Sequence, residues 1–134
     1  MQYEHFLQGQ KKYQEELEKP QTTWPEQVQI GMHYIQENLF EESLTVTRIR
    51  EACHINDKSF ASRFKIYTGF YPKDYILNHR IEFGKYLLIQ EGVSIVQVGL
   101  LLGFSSHSAF CKAFKVRVGM RPSVWAKDAI KIAS

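Results

Sequence analysis

An internal duplication restricts the possible folds of this chain more than any other feature of its sequence. Five residues recur in one frame at a spacing of fifty. The identical pairs are Phe60 and Phe110, Phe64 and Phe114, Lys65 and Lys115, Gly69 and Gly119, and Pro72 and Pro122. Tyr75 has an aromatic counterpart in Trp125, and further upstream the spacing falls to forty-nine, because His54 matches Gly103. We therefore expect two copies of one structural unit, one of which has gained a residue in a turn.

Each repeat has the pattern of two short helices joined by a tight turn, and the second repeat shows it more clearly. Ser94 can cap a helix in which apolar residues recur at helical spacing as far as Leu102. Gly103 then ends that helix, because glycine accepts the left-handed conformation required there. Ser105 or Ser106 caps the next helix, which Phe110 and Phe114 anchor to a core.

The other face of this second helix is short, polar and basic. At 100° per residue it contains His107, Ser108, Cys111, Lys112 and Lys115, and it begins beside Ser106. A two-helix unit that presents such a face is what the major groove of DNA admits. A helical hairpin repeat with a solvated face has the same spacing, so the spacing alone leaves both interpretations open.

The segment VGLLLGFSSHSAFCKAFKVRVGMRPSVW resembles the signature of the AraC/XylS family of bacterial transcription regulators. Nine residues fill places in the family pattern: Leu102, Gly103, Phe104, Phe110, Phe114, Lys115, Gly119, Pro122 and Trp125. The similarity extends over about residues 25–126. It implies an all-α fold in which two helix-turn-helix subdomains are joined by a linking helix.

The resemblance sets the expected division of the chain. Residues 1–24 would form an N-terminal amphipathic helix and linker, 25–126 the DNA-binding domain, and 127–134 a C-terminal tail. Within the domain, the first helix-turn-helix covers about 45–67, the linking helix about 72–91 and the second helix-turn-helix about 94–117. From 73 to 90 such a helix rises about 27 Å, which suits two recognition helices placed one DNA turn, about 34 Å, apart.

Four residues depart from the family pattern. In the first repeat Arg50 occupies a place usually held by alanine, and His54 replaces the usual turn glycine. In the second repeat Gly99 stands for that alanine, and Ala126 for a common terminal arginine. The first repeat is thus the less regular one, and bulk at Arg50 is expected to change how its helices cross.

The first repeat offers a second candidate DNA-reading face, on a helix capped by Asn56. By the same wheel this face contains Asp57, Lys58, Ala61, Ser62 and Lys65, with Arg63 beside it as a candidate phosphate contact. Of the residues that match family base contacts, Lys58 alone has a long reach, while Ala61 and Ser62 reach only locally. We therefore expect sequence readout to depend more on the second repeat.

Charge is distributed unevenly along the chain. Residues 1–43 contain three Lys and eight Glu, net −5, and the other residues contain fourteen Lys or Arg and six Asp or Glu, net +8; together they give the overall +3. The basic part is the part that carries the repeats. This asymmetry favours a polyanionic partner, although a basic surface can also simply be solvated.

The N-terminal segment predicts an amphipathic helix, with Tyr3, Phe6, Leu7, Tyr13 and Leu17 on one face. We interpret it as a connector to an upstream sensing or dimerisation module; the alternative is a helix folded back on the DNA-binding domain. A short linker follows. Thr23 with Glu26 then predicts a capping box for the next helix, in which Val28 and Met32 begin a buried stripe.

Other classes of function have little support in the sequence. Cys53 and Cys111 lack metal-ligand spacing, so no metal site is expected, and Cys111 is read as an inert thiol in preference to an oxidation sensor. Neither cysteine has the partners of a catalytic nucleophile, and no cofactor or enzymatic activity is expected. No apolar run spans a membrane and no signal peptide opens the chain, which predicts a cytoplasmic protein.

The sequence therefore predicts a sequence-specific transcription regulator that places two recognition helices in successive major grooves, and the resemblance implies that it acts as an activator, the commoner role in that family. Its expected partners are double-stranded DNA and, by the resemblance, RNA polymerase. The alternative is a helical protein-interaction module of the same fold that lacks sequence-specific readout.

Overall fold

The computed structural model describes residues 2–90 and 92–133, and the regular secondary structure within those ranges is entirely α-helical. The helices are α1 (Gln2–Glu16), α2 (Glu26–Glu37), α3 (Val46–Ala52), α4 (Phe60–Thr68), α5 (Pro72–Leu88), α6 (Ile95–Leu101), α7 (His107–Val118) and α8 (Pro122–Ala133). The all-α prediction is confirmed. None of these helices is both long and apolar enough to cross a lipid bilayer.

The chain divides into two compact units, Met1–Ile76 and Leu77–Ser134, which we name the N-terminal unit and the C-terminal unit. The N-terminal unit contains α1, α2, the helix pair α3 and α4, and the first residues of α5. The C-terminal unit contains the rest of α5, the pair α6 and α7, and α8. Each unit thus holds one of the two repeats, and α5 runs from one into the other.

The core of the N-terminal unit forms where α3 and α4 pack on α2. Val28, Met32 and Ile35 supply the buried stripe of α2, as the sequence predicts, and Phe60 and Phe64 of α4 meet it. Large apolar side chains that leave water in this way are the main source of stability in a small domain.

In the C-terminal unit the corresponding core lies between α5, α6 and α7. Val98 and Leu102 of α6 and Phe110 and Phe114 of α7 are fully buried. Gly84 of α5 faces them, and a Cβ atom there would lie 2.7 Å from Leu102 Cδ1. The glycine weakens the helix by up to about 1 kcal/mol, and the Leu102 side chain occupies the space that a methyl group at this position would fill.

The duplication is visible in the geometry. Gly69 and Gly119 end α4 and α7 with φ values of 89° and 92°, and each donates its N–H to the lysine carbonyl four residues earlier at 2.8 Å. The helices that follow begin at Pro72 and Pro122, as expected for a residue with fixed φ and no N–H to donate.

Several predicted boundaries are wrong. Pro25 precedes α2 in the cap position and no side chain caps this helix, so Thr23 forms no capping box. Helix α4 begins at Phe60, after Ser59, instead of after Asn56. Helix α5 ends at Leu88 instead of at Glu91, which itself lies outside the described residues.

The two ends of the chain also differ from expectation. The segment separated as a C-terminal tail is helical through residue 133, as part of α8. Helix α1 folds back on the N-terminal unit: Phe6 is buried, and Tyr13 and Leu17 pack against its core. The folded-back alternative therefore describes α1 better than a free connector does. Tyr3 lies outside the residues whose side chains are described.

Candidate nucleic-acid interface

The second helix-turn-helix is fixed by caps on both of its helices. Ser94 accepts a hydrogen bond from the Gln97 N–H, and the Gln97 side chain accepts one from the Ser94 N–H, which forms a capping box. After α6, Gly103 has a φ of 95°, and the Phe104 N–H donates to the Gly99 carbonyl at 3.1 Å. This pattern closes the helix as a Schellman turn, so the predicted roles of Ser94 and Gly103 are confirmed.

Helix α7 starts at the predicted place and presents the predicted face. Ser106 is its N-cap, and its hydroxyl oxygen accepts from the Ala109 N–H at 3.0 Å. Because Phe110 and Phe114 point into the core, the centre of the opposite face is Lys112. His107, Ser108, Lys112 and Lys115 are exposed, and Cys111 is half-buried.

One contact links two residues on this face. The Cys111 Sγ and His107 Nε2 atoms lie 3.4 Å apart, one helical turn along α7. Cys111 is a free cysteine. The contact places the imidazole and the thiol side by side on the face that is a candidate for DNA readout.

A buried arginine holds the turn of the second helix-turn-helix in place. Arg80 of α5 donates from Nη1 to the Gly103 carbonyl at 3.4 Å, and its guanidinium lies 5.7 Å from the Phe104 ring centroid. Burial lowers the pKa of Arg80 to about 10, so the side chain remains protonated at neutral pH. A positive charge at this point also complements the C-terminal end of α6.

The far end of α7 is fixed to its neighbours as well. Arg117 donates from Nε to the Asn78 side-chain oxygen at 3.1 Å, which ties α7 to α5. Trp125 of α8 packs edge-on against Phe114, with ring centroids 5.9 Å apart. The outward residues of α7 therefore project from a helix that is held along its whole length.

The first helix-turn-helix closes in the same way with different residues. His54 has a φ of 55°, in the left-handed region, and the Ile55 N–H donates to the Arg50 carbonyl at 2.8 Å. The Arg50 side chain crosses the turn and donates from Nη2 to the Asn56 carbonyl at 3.3 Å. Arg50 thus braces the turn, which explains how its bulk is accommodated near the start of α4.

The start of the first recognition helix differs from the prediction. Asp57 and Lys58 lie in a turn before α4 and are not residues of the helix. Asp57 accepts from the Ser59 N–H at 2.8 Å and from Arg63 Nη1 at 3.1 Å. These two hydrogen bonds lower the pKa of Asp57, and they leave Arg63 engaged with a carboxylate as well as available at the surface.

The remaining outward residues of α4 match those of α7 in position. Ser62 is exposed at the centre of the face, where Lys112 stands in α7, and Ala61 is half-buried. Lys65 is exposed, and its Nζ lies 4.4 Å from the centroid of the Tyr71 ring, a cation–π contact. The structure therefore brings Ala61, Ser62 and Lys65 together on one helical face and places Asp57 and Lys58 just before it.

Sequence reasoning missed one pair of surface residues. Ile66 and Val116 occupy the same place in the two repeats and are 74% and 72% exposed. Each lies one turn beyond the centre of its outward face, after Ser62 and after Lys112. The repeat itself contained the signal, because two β-branched apolar residues follow the two matched lysines.

Comparison with known proteins places this geometry in a family. A family model described as a helix-turn-helix domain matches residues 49–128, more than half of the chain. The crystal structure of a transcriptional regulator from Chromobacterium violaceum, with an AraC-type DNA-binding domain, is 28% identical, with a TM-score of 0.61 over 75% of this chain and 89% of that one. The chain belongs to the AraC/XylS family.

Two curated relatives illustrate how much of a longer protein the match covers. The "Probable transcriptional regulator LumQ" of Photobacterium leiognathi is 31% identical over 91 residues, which is 68% of this chain and 36% of the relative. The "Uncharacterized HTH-type transcriptional regulator YobQ" of Bacillus subtilis is 34% identical over 92 residues, which is 69% of this chain and 38% of the relative. The matched part thus spans less than two fifths of either relative.

The structure also explains one departure from the AraC/XylS pattern. A Cβ atom at Gly99 would lie 3.1 Å from both Cβ and Cδ2 of Phe110, which is a tight contact. Glycine in place of the usual alanine therefore lets Phe110 lie directly against the backbone of α6. In the first repeat the ring of Phe60 instead reaches Gly31 of α2, where a Cβ would lie 2.5 Å from Phe60 Cζ.

Proposed function

We propose that this chain is the DNA-binding part of a transcription regulator that reads duplex sequence with the outward faces of α4 and α7. The observation that carries the proposal is the exposed, basic face of α7, centred on Lys112 and held by a capped start, a pinned end and a buried turn. Rigid presentation of this kind is what base-edge hydrogen bonding requires.

Each outward residue has a chemistry that suits a part of the duplex. Lys112 can donate to guanine O6 or N7, and His107 and Ser108, at the start of α7, are placed where helix-turn-helix proteins approach base edges. Lys65, Lys115 and Arg63 suit phosphates, which position a protein without reading sequence. Ala61 and Ser62 offer contacts with a thymine methyl and short hydrogen bonds.

The finer parts of the proposal concern the assembly. The regulator places α4 and α7 in successive major grooves and acts in the cytoplasm as an activator that meets RNA polymerase. An upstream sensing or dimerisation module would adjoin α1. Support for this last part comes from the curated relatives, whose own lengths extend well beyond the matched region.

A protein-interaction module without sequence readout is the second candidate, and one observation favours it. The outward face of α4 is short and partly apolar, with Ala61, Ser62 and the exposed Ile66. Such a face suits protein packing as well as it suits a DNA groove.

Selection of duplexes from a random pool, followed by salt titration of the preferred duplex, tests the proposal. We expect a selected sequence motif and a steep fall of log affinity with log salt, about −0.9 per phosphate contact. Lys115→Ala should reduce that slope by about one and weaken all sequences alike. Lys12→Ala removes the same charge from an exposed position of α1 and is the matched control. It should change neither the salt slope nor the affinity. Absence of any selected motif, with a slope near zero, would favour the interaction module.

A further inference from the structure

The N-terminal unit contains a buried polar side chain that joins three parts of the chain. Gln36 of α2 is only 3% exposed. Its side-chain nitrogen Nε2 donates to the Glu18 carbonyl at 2.8 Å, just after α1, and to the Tyr75 hydroxyl oxygen at 3.2 Å, on α5. One amide group therefore links the end of α1 with the start of the linking helix.

Helix α1 also donates hydrogen bonds to α2. Gln14 donates from Nε2 to the carbonyls of Gln36 and Glu37, at 2.9 and 3.1 Å. These carbonyls belong to the last turn of α2, where the helix has no partners of its own for them. Directional bonds in both directions fix the register of α1 on α2, which apolar contact alone would not do.

Tyr75 extends the connection to the first recognition helix. Its ring packs edge-on against Phe64 of α4, with centroids 6.3 Å apart, and Phe64 is fully buried. Phe64 follows Arg63 and precedes Lys65, two of the candidate DNA contacts. A shift of the Tyr75 ring would therefore displace Phe64, the buried residue that anchors α4, and with it the outward side chains on either side of Phe64.

The second repeat has the ring but not the hydroxyl group. Trp125 occupies the place of Tyr75 and packs on Phe114 in the same edge-on manner. Because an indole has no hydroxyl group, the link that runs through Gln36 to Tyr75 has no equivalent of the same chemistry in the C-terminal unit. The link from the end of α1 through a tyrosine hydroxyl group is therefore a feature of the first repeat.

One feature of Gln36 lowers the cost of undocking α1. Its Oε1 atom is buried and has no hydrogen-bond partner, which is unfavourable for a carbonyl oxygen that water would otherwise hydrate. Undocking of α1 removes the Glu18 carbonyl from Gln36 and would let water reach this amide. The unpaired oxygen therefore offsets part of the stabilisation that the hydrogen bonds of Gln14 and Gln36 give to the docked state.

We propose that Gln36 is a positioning residue that couples the docking of α1 to the placement of α4, so that displacement of α1 weakens readout by the first repeat. The proposal rests on the proposed function, since it concerns the same DNA-reading face. It makes α1 the element through which an upstream module would act, and it makes the first repeat the regulated half of the pair.

The test uses Tyr75→Phe, which removes the hydroxyl group and keeps the ring, together with Gln36→Leu and the double variant. Amide hydrogen exchange is measured in α4, with α7 as an internal reference. Both single variants remove the hydrogen bond between Gln36 and Tyr75, and its loss should speed exchange in α4 by about two- to tenfold. The double variant should add little, because both changes break the same link. Tyr86→Phe, on an exposed tyrosine of α5, is the control and should leave α4 unchanged.

Duplex selection with the same variants connects the link to readout. Preference should relax at the base pairs that respond to Lys58→Ala and should persist at those that respond to Lys112→Ala. Equal acceleration in α4 and α7, unchanged exchange in α4, or faster exchange with unchanged selection would each overturn the proposal. If the unaltered protein selects no duplex, the proposed function fails, whereas the exchange data still decide whether Gln36 positions α4.

Discussion

The two recognition helices are anchored alike and begin differently. In α4 and α7 the paired phenylalanines lie 5.8 and 5.9 Å apart between ring centroids, and each helix ends on a glycine with positive φ. However, α7 has 12 residues and a serine cap, whereas α4 has 9 residues and no side-chain cap. The two repeats are therefore alike in the part of the helix that packs and differ in how the helix starts.

The turns before these helices are also stabilised from different directions. In the second repeat Arg80 reaches the Gly103 carbonyl from α5. In the first repeat Arg50, within the helix pair itself, reaches the Asn56 carbonyl. The first turn is therefore supported locally, and the second is supported by the helix that runs between the units.

The largest effects should come from the anchoring phenylalanines, where the repeats are alike. Phe64→Ala and Phe114→Ala should each destabilise their own unit by about 3 to 5 kcal/mol, because each ring is fully buried and leaves a cavity. Chemical denaturation followed by circular dichroism measures this. An unchanged denaturation midpoint in only one of the two variants would show that the two anchors are not equivalent.

The two repeats should contribute unequally to DNA sequence preference. Lys112→Ala should reduce affinity for the preferred duplex by about 1 to 3 kcal/mol and relax preference at one base pair. Lys58→Ala should relax preference less, since Lys58 lies in the turn before α4. Duplex selection with both variants measures the difference. A motif that changes more with Lys58→Ala would reverse the assignment of the dominant repeat.

Substitution of Gly31 in α2 and Gly84 in α5 tests how tightly each repeat is packed against its neighbouring helix. Gly31→Ala should destabilise the N-terminal unit by about 1 to 3 kcal/mol, because the new methyl group meets the rigid Phe60 ring. Gly84→Ala should cost less, since the terminal carbon of Leu102 can rotate and alanine favours the helix by about 1 kcal/mol. Thermal denaturation of both variants would show the order, and equal losses would contradict it.

Substitution of the positive-φ residue in each turn should give smaller and unequal effects. Gly103→Ala should destabilise the turn by about 1 to 2 kcal/mol, because a side chain is unfavourable at a φ of 95°. His54→Gly should change stability by less than about 1 kcal/mol, since relief of the left-handed conformation is offset by a more flexible unfolded chain. Urea titrations of both variants provide the comparison.

Acid should affect the C-terminal unit through His79. Burial lowers the pKa of His79, and the nearby Glu82 opposes this only in part. Because the unfolded chain then binds a proton more readily than the folded one, stability is retained above a pH of about 6.5 and is lost as the pH falls through the folded-state pKa. Melting temperatures measured from pH 7.5 to 5.5 should fall less in His79→Gln, and an identical fall in both proteins would exclude this cause.

The fold could be predicted because the signals that define it are local and duplicated. Gly103, Gly119 and Pro122 mark helix ends and starts that depend on the local backbone, and each lies where the repeat predicts it. The start of α4 could not be predicted in the same way. Asp57 competes for the Ser59 N–H and forms a turn where a helix was expected, and a wheel cannot represent that competition.

Placement of α1 shows a second limit of the sequence. Its amphipathic face required a partner, but the pattern does not say whether that partner is another protein or the same chain. In the structure the partner is the same chain, and Gln14 donates a hydrogen bond to the carbonyl of Gln36, 22 positions away. A periodic pattern cannot reveal a contact of that separation. Gly84 likewise weakens α5 by helix propensity alone, and only the packing of Leu102 against it shows how the space beside it is used.

Helix α1 has a practical consequence for work on the isolated domain. A chain trimmed to begin at Pro25 would keep every family signature, yet it would uncover the surface now shielded by Phe6, Tyr13 and Leu17, including the face of Phe40 that Tyr13 contacts. Newly wetted apolar area of this kind promotes self-association. The shorter protein should therefore precipitate at concentrations at which the full chain stays in solution.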